Sequence, residues 1–217
     1  MSDEPIARLR DAAFPIVISG PSGAGKTVLC RRLCSAFSWT TRAVTYTTRP
    51  PRGGEREGES YFFCTEGSFR EELNRDGFAE WAEVHGHLYG TPRRWLDHKL
   101  RDGFCVVLNI DVQGGLKLRA GYPDALLIFL LPPSWEQLER RLRRRGTDPP
   151  EEIARRLAAA RQELEALPRY DYVIVNNSLP AASGELFSIV RAERARVRRR
   201  LTADPREPSE PRPSLQL

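Results

Sequence analysis

The sequence is short of lysine, histidine and long apolar runs, and each shortage removes a class of explanation. No uninterrupted apolar stretch approaches the roughly 20 residues that a membrane-spanning helix requires, so no membrane association is expected. The three histidines, His85, His87 and His98, form no pair at zinc-finger spacing with Cys30 and Cys34. The four cysteines (30, 34, 64 and 105) are scattered and suggest no disulfide framework. With a polar N-terminus that has no signal-peptide pattern, they read as reduced thiols of a cytoplasmic protein. Only Lys26, Lys99 and Lys117 are lysine, which leaves 31 arginines among the 34 basic residues.

What is present describes one soluble globular unit. A chain of 217 residues with 40% hydrophobic and 29% charged residues supports a sizeable core and is no disordered polyelectrolyte. The net charge of +5 is uneven, because +4 of it falls from Arg191 onward and residues 1–190 carry only +1. A folded domain that tracks a nucleic-acid backbone usually carries its own basic face, so no nucleic-acid partner is expected.

Near-continuous apolar runs at Phe14 to Ser19, Cys105 to Asp111, Ala125 to Leu131 and Tyr172 to Asn176 alternate with helical patterns. This is the signature of an α/β fold whose mainly parallel sheet is covered on both faces. Helices are predicted over about Lys26 to Phe37, Trp135 to Arg145, Glu151 to Ala166 and Leu186 to Leu201. Residues 45–104, with short strands, Gly-rich turns and clustered aromatics, read as a small inserted lobe. The ends, 1–13 and the Pro-rich 202–217, are expected to be loose.

Gly20-Pro21-Ser22-Gly23-Ala24-Gly25-Lys26-Thr27 fits G-x-x-x-x-G-K-[ST] after an apolar strand and before a helix, the context that makes this pattern a phosphate-binding loop. The glycines allow backbone N–H groups to point inward, and the helix N-terminus adds positive potential where phosphate sits. Lys26 can reach β- and γ-phosphates, and the Thr27 hydroxyl can serve Mg2+ held with ATP.

Beyond this loop the sequence resembles the guanylate kinase family from about Pro15 to Arg191. The segment TYTTRPPRGGE over 45–55, followed by Gly58 and Tyr61, is similar to that family's GMP-phosphate motif. Glu80-Trp81-Ala82, Tyr89-Gly90-Thr91, Ile110-Asp111-Val112-Gln113-Gly114, Pro132-Pro133-Ser134, Arg145-Gly146-Thr147 and Val173-Ile174-Val175-Asn176 also match family patterns. The resemblance implies a P-loop three-layer α/β fold: a core at 14–44, 105–139 and 167–201, a mixed GMP-binding lobe at 45–104, and a helical lid at 140–166.

The residue chemistry agrees with transfer from MgATP to GMP. Arg49 and Arg52 can present two guanidinium forks to one phosphate, and Tyr61 and Tyr89 can add neutral hydrogen bonds. Guanine offers N1–H and an amino group on one edge, and the Glu80 carboxylate can accept both. Adenine lacks those donors and would leave a buried carboxylate unpaired. By resemblance, Asp111 also contacts the guanine amino group, and Thr45 and Thr91 complete the base pocket. The resemblance likewise puts Arg141, Arg145 and Arg156 in a lid over the transferring phosphoryl group. Arg140, Arg143, Arg144 and Arg155 read as solvated neighbours. Asn176 resembles an adenine-contacting asparagine, and a polar cap at a strand end is the competing reading.

The pattern departs from the family at Asn109, where an aspartate is usual, at Ser60 before Tyr61, and at Tyr46. An amide at 109 lacks negative charge toward hydrated Mg2+. Two other readings stay open at this stage. One is a guanylate-kinase-like binding module holding a phosphorylated or acidic peptide, which intact Lys26 and Thr27 disfavour. The other is a kinase for a different acceptor, which Glu80 and Asp111 disfavour.

Overall fold

The computed structural model describes residues 11–84, 86–144 and 150–201; of the expected loose ends, 1–13 and 202–217, residues 1–10 and 202–217 lie outside that range, as does Arg145. Five parallel strands form the main sheet: β1 (Pro15–Ser19), β2 (Thr40–Arg42), β7 (Cys105–Leu108), β8 (Leu126–Leu131) and β9 (Tyr172–Val175). Their order is β2-β7-β1-β8-β9, so β1 stands at the centre. Strand periodicity explains how one sheet supports two cores. Ile16, Ile18, Leu126, Ile128 and Leu130 face α1 (Lys26–Ala36) and α7 (Leu179–Arg194). Val17, Val106, Leu108 and Leu127 face the other way, toward α3 (Arg93–Arg101) and α4 (Val112–Gly121). Helices on both faces of a parallel sheet make this the three-layer α/β arrangement that the apolar runs predict.

A second sheet, ordered β4-β3-β6-β5, is mixed. β3 (Tyr46–Thr47) runs parallel to β4 (Phe62–Phe63) and antiparallel to β6 (His87–Pro92), which pairs with β5 (Phe78–Val84). Helix α2 (Glu66–Asn74) covers it, with Phe69 stacked on Phe78 at 4.5 Å. A third, small cluster joins Leu138 and Leu142 of α5 (Trp135–Arg143) to Ile153 and Ala160 of α6 (Pro150–Glu163).

Several helices differ from expectation. α7 begins at Leu179, seven residues earlier than its predicted start, because Ser178 caps it and Pro180 fits its first turn. α6 ends at Glu163 and a 3-10 segment, Leu164–Arg169, carries the chain past Pro168. The arginine-rich end is not simply exposed. Arg199, in the short helix α8 (Val197–Arg200), is buried against Glu193 through two hydrogen bonds (3.1 and 2.9 Å) and lies 4.0 Å from the Phe14 ring. Arg194 stacks over Trp39 at 4.3 Å and pairs with Asp11. These contacts clasp the C-terminal helices to the start of the core.

Candidate active site

One cleft of about 350 Å³ runs from the end of β1 to the second sheet. At one end the chain leaves β1 and turns through Gly20, Gly23 and Gly25, all at positive φ. A Cβ at Gly20 would fall 2.2 Å from the Leu130 carbonyl oxygen, and one at Gly25 would fall 2.5 Å from Asn176 Nδ2. Both conformation and space therefore require glycine there. The N-terminus of α1 has no side-chain cap and no acidic residue in its first turn. Its first N–H groups and its positive dipole end are left for an anion. Lys26 Nζ donates to the carbonyls of Gly20 and Pro21 and so curls over the loop. Asn109, just past β7, donates from Nδ2 to Thr27 Oγ1 at 3.1 Å.

The loop is braced from behind. Ala24 carbonyl oxygen accepts from Asn176 Nδ2 at 2.7 Å and from Arg141 Nη1 at 3.4 Å, and Arg141 Nη2 donates to the Asn176 carbonyl at 3.2 Å. Gly20, Ser22, Gly23, Gly25, Lys26 and Thr27 line the cleft, whereas Pro21 and Ala24 are buried in the loop's far side. Asn176 and Arg141 thus hold the loop through the Ala24 carbonyl, and Asn176 Nδ2 also lies close to Gly25. This contact is the polar strand-end role that competes with the reading of Asn176 as an adenine contact. The physical reason is that β9 ends beside the loop and the buried Asn176 amide satisfies its carbonyl.

At the other end, Arg49 is buried and each of its three guanidinium nitrogens donates a hydrogen bond. Nη2 donates to both Glu55 oxygens (2.8 and 2.9 Å), Nε to Tyr89 Oη at 3.2 Å, and Nη1 to the Pro50 carbonyl at 2.7 Å. The Tyr61 ring lies 5.4 Å from the guanidinium carbon. Arg52 is exposed at the cleft rim, and its backbone N–H donates to Glu55 at 2.8 Å. Glu55 thus organises this corner, a role that reading Arg49 and Arg52 alone does not supply. The tight turn from Arg52 to Glu55 is its sequence signal.

Glu80 on β5 and Thr91 on β6 are register partners, and the Thr91 hydroxyl donates to Glu80 Oε1 at 2.5 Å. Both are buried. Burial pushes the Glu80 carboxyl up to about 7; the Thr91 hydrogen bond opposes this, the Asp111 charge adds to it and Lys117 opposes it. Asp111 caps α4, accepting from the N–H groups of Gln113 and Gly114 (3.2 and 3.0 Å), while also lining the cleft. A Cβ at Gly114 would lie 2.6 Å from Glu80 Oε2, so the close approach of α4 to the carboxylate depends on that glycine. Thr45 is buried and lines the same wall.

From above, α6 contributes Arg156 and Glu163, seven residues apart on one helical face, both lining the cleft. Arg156 was expected here and Glu163 was not. Its signal in the sequence is the two-turn spacing from Arg156 across an alanine-rich stretch. Burial raises the Glu163 carboxyl above its ordinary range, against a lowering by Lys26, with Asp111 adding to the rise. Arg145 lies outside the described residues.

The cleft thus joins a backbone-built anion site to a pocket that pairs a guanidinium corner with a buried carboxylate. Two anions placed end to end, one carrying a hydrogen-bond donor edge, are the ligands this arrangement accommodates.

Comparison with known proteins gives the same direction. The family model described as guanylate kinase matches residues 12–193. The chain is 48% identical over 185 residues to a guanylate kinase from Nitrosomonas europaea, covering 85% of this chain and 92% of the relative. It is 43% identical over 184 residues to one from Caldanaerobacter subterraneus subsp. tengcongensis, covering 85% and 89%. Among solved structures, the crystal structure of guanylate kinase from Anaplasma phagocytophilum superposes with a TM-score of 0.75 at 31% identity, covering 89% of this chain and 93% of that one.

Proposed function

The chain belongs to the guanylate kinase family, and we infer from that premise that it transfers the γ-phosphoryl group of ATP to GMP, giving ADP and GDP. The observation that carries the reading is Glu80: a buried carboxylate that faces the same cleft as the phosphate-binding loop. Guanine can satisfy it with two parallel N–H donors, and adenine cannot.

In this reading the loop N–H groups and Lys26 hold the ATP phosphates, Lys26 exchanging its loop carbonyls for phosphate oxygens. Arg49, Arg52, Tyr61 and Tyr89 hold the GMP phosphate, with Glu55 fixing the Arg49 fork. Glu80, Thr91, Thr45 and Asp111 surround the base. Two anions repel, so the protein's work is alignment and charge neutralisation, with Arg156, Arg145 and the helices at 140–166 closing as a lid that excludes water. For Arg141 and Asn176 we propose support of the loop through Ala24.

The donor is proposed to be MgATP. Among the described residues no cluster of three or more His, Cys, Asp or Glu is arranged as a metal cage. That suits Mg2+, which keeps several waters and takes substrate phosphates as ligands. The Thr27 hydroxyl would hold it, with Asn109, Asp111 and Glu163 facing the same space. When bound, the ion would offset the charge of the phosphates. The proposed domain division is the core, GMP lobe and lid bounded above, and dGMP is a proposed second acceptor. The proposed location is the cytoplasm; no described helix is long and apolar enough to cross a membrane.

A coupled ADP-release assay with MgATP against GMP, dGMP, AMP, UMP and no acceptor tests this. GMP-dependent ADP release is expected. Its absence together with GMP-induced thermal stabilisation would mark a binding module, and absence of both would remove the GMP site.

A further inference from the structure

Four carboxylates line the cleft, and three of them are already engaged. Glu55 is held by Arg49, Glu80 by Thr91, and Asp111 by the N-terminus of α4. Glu163 Oε2 is buried and has no hydrogen-bond partner among the described residues. A buried carboxylate oxygen left without a donor is costly and calls for a ligand that is not part of the chain. Glu163 lines the same cleft as Lys26 and Thr27, and Lys26 and Asp111 are charged groups whose fields act on it.

The residue against Thr27 points to the same ligand. Asn109 turns its NH2 group toward the Thr27 hydroxyl, so this side of the magnesium position presents a neutral amide donor. Hydrated Mg2+ needs acceptors for the protons of its bound waters, and carboxylates nearby serve best. We propose that Glu163, reaching in from the end of α6, is the carboxylate that accepts hydrogen bonds from magnesium-bound water, supplying the charge that Asn109 lacks. It is a positioning residue, acting through water on the metal. Because Arg156 lies two turns earlier on the same face of α6, one helix would then deliver a cation to the phosphates and an anion to their metal. The inference rests on the kinase reading of the cleft.

The test uses ADP, which binds without reacting. The dissociation constant of ADP is measured by calorimetry with and without Mg2+ for the parent, Glu163→Gln, Asn109→Asp and the double variant. In Glu163→Gln the tightening caused by Mg2+ should fall about tenfold, as loss of an outer-shell partner does. Metal-free ADP affinity should not fall, and Asn109→Asp should restore the tightening in the double variant. An unchanged Mg2+ tightening in Glu163→Gln, or an equal weakening with and without the metal, overturns the proposal. Should Glu163→Gln fail to fold, Glu163→Asp should show a smaller loss confined to the Mg2+ titration, and parent-like tightening overturns the proposal there as well. A parent that binds no ADP would instead overturn the kinase reading on which the inference depends.

Discussion

In the proposed function the two ends of the cleft solve the same problem, holding a phosphate away from water, by opposite means. The donor end is backbone: three glycines at positive φ, an uncapped helix N-terminus and one lysine. The acceptor end is side chain: Arg49 with all its nitrogens engaged, and Glu80 buried against Thr91. A backbone site fails when its shape is lost, and a side-chain site fails when a charge or a donor changes. That difference predicts which measurement each substitution should move.

The largest effect is expected at Lys26, the charged side chain that belongs to the phosphate-binding loop itself. Lys26→Ala should lower kcat by about 10^3-fold with little change in the GMP KM, because charge development on the transferring group loses its nearest cation. Steady-state kinetics with both substrates varied decides this; a rise confined to the KM values would break the comparison. Next, Arg49→Lys keeps the charge but loses the fork, and should raise the GMP KM by about thirtyfold, roughly 2 kcal/mol, while leaving the ATP KM in place.

The pH dependence sharpens the acceptor end further. Burial raises the Glu80 carboxyl from 4.5 to about 7 in the empty protein. Guanine donors favour the carboxylate, so GMP affinity should fall as pH drops below 7, approaching about tenfold per unit from this group. GMP's own phosphate titrates in the parent and in Glu80→Gln alike, so the difference between their pH profiles isolates residue 80. The stability sign is opposite: a raised carboxyl pKa contributes stability that is present below 4.5 and lost as pH rises through 7. Glu80→Gln should therefore raise Tm at pH 8 relative to the parent and not at pH 4.5, which thermal melts can check. The smallest effect belongs to the brace. Asn176→Ala should raise the ATP KM about fivefold by loosening Ala24, with GMP binding unaltered, since one hydrogen bond is worth about 1 kcal/mol.

The same contrast explains how much could be read from the sequence. The loop is local, so the spacing of Gly20, Gly23, Gly25 and Lys26 already carries its geometry, and the apolar runs carry the parallel sheet behind it. Arg49, Tyr61, Glu80, Tyr89 and Thr91 were legible as types matched to a phosphate and a guanine edge. Their partners were harder, because pairing is not local. Thr91 meets Glu80 through strand register, and Asn176 meets Ala24 across 152 positions. Glu163 was harder still: its two-turn spacing from Arg156 is a signal, but a glutamate near the end of an alanine-rich helix, with Glu165 two residues on, also looks like solvent-facing charge. The Arg-rich end is opaque in the same way: Arg199 is buried because Glu193 and Phe14 come together in the fold, which no run of basic residues reveals. The excess of arginine over lysine thus divides between phosphate forks, structural clasps and surface.

The most direct test is the ratio of kcat/KM for GMP to that for AMP, measured in the parent and in Glu80→Gln. A carboxylate that reads the guanine edge predicts a parent ratio on the order of 10^4 or more, and a collapse of that ratio in Glu80→Gln by about 10^3-fold, the worth of two hydrogen bonds to a buried charge. A ratio that Glu80→Gln leaves intact would contradict the assignment of base recognition to this wall of the cleft.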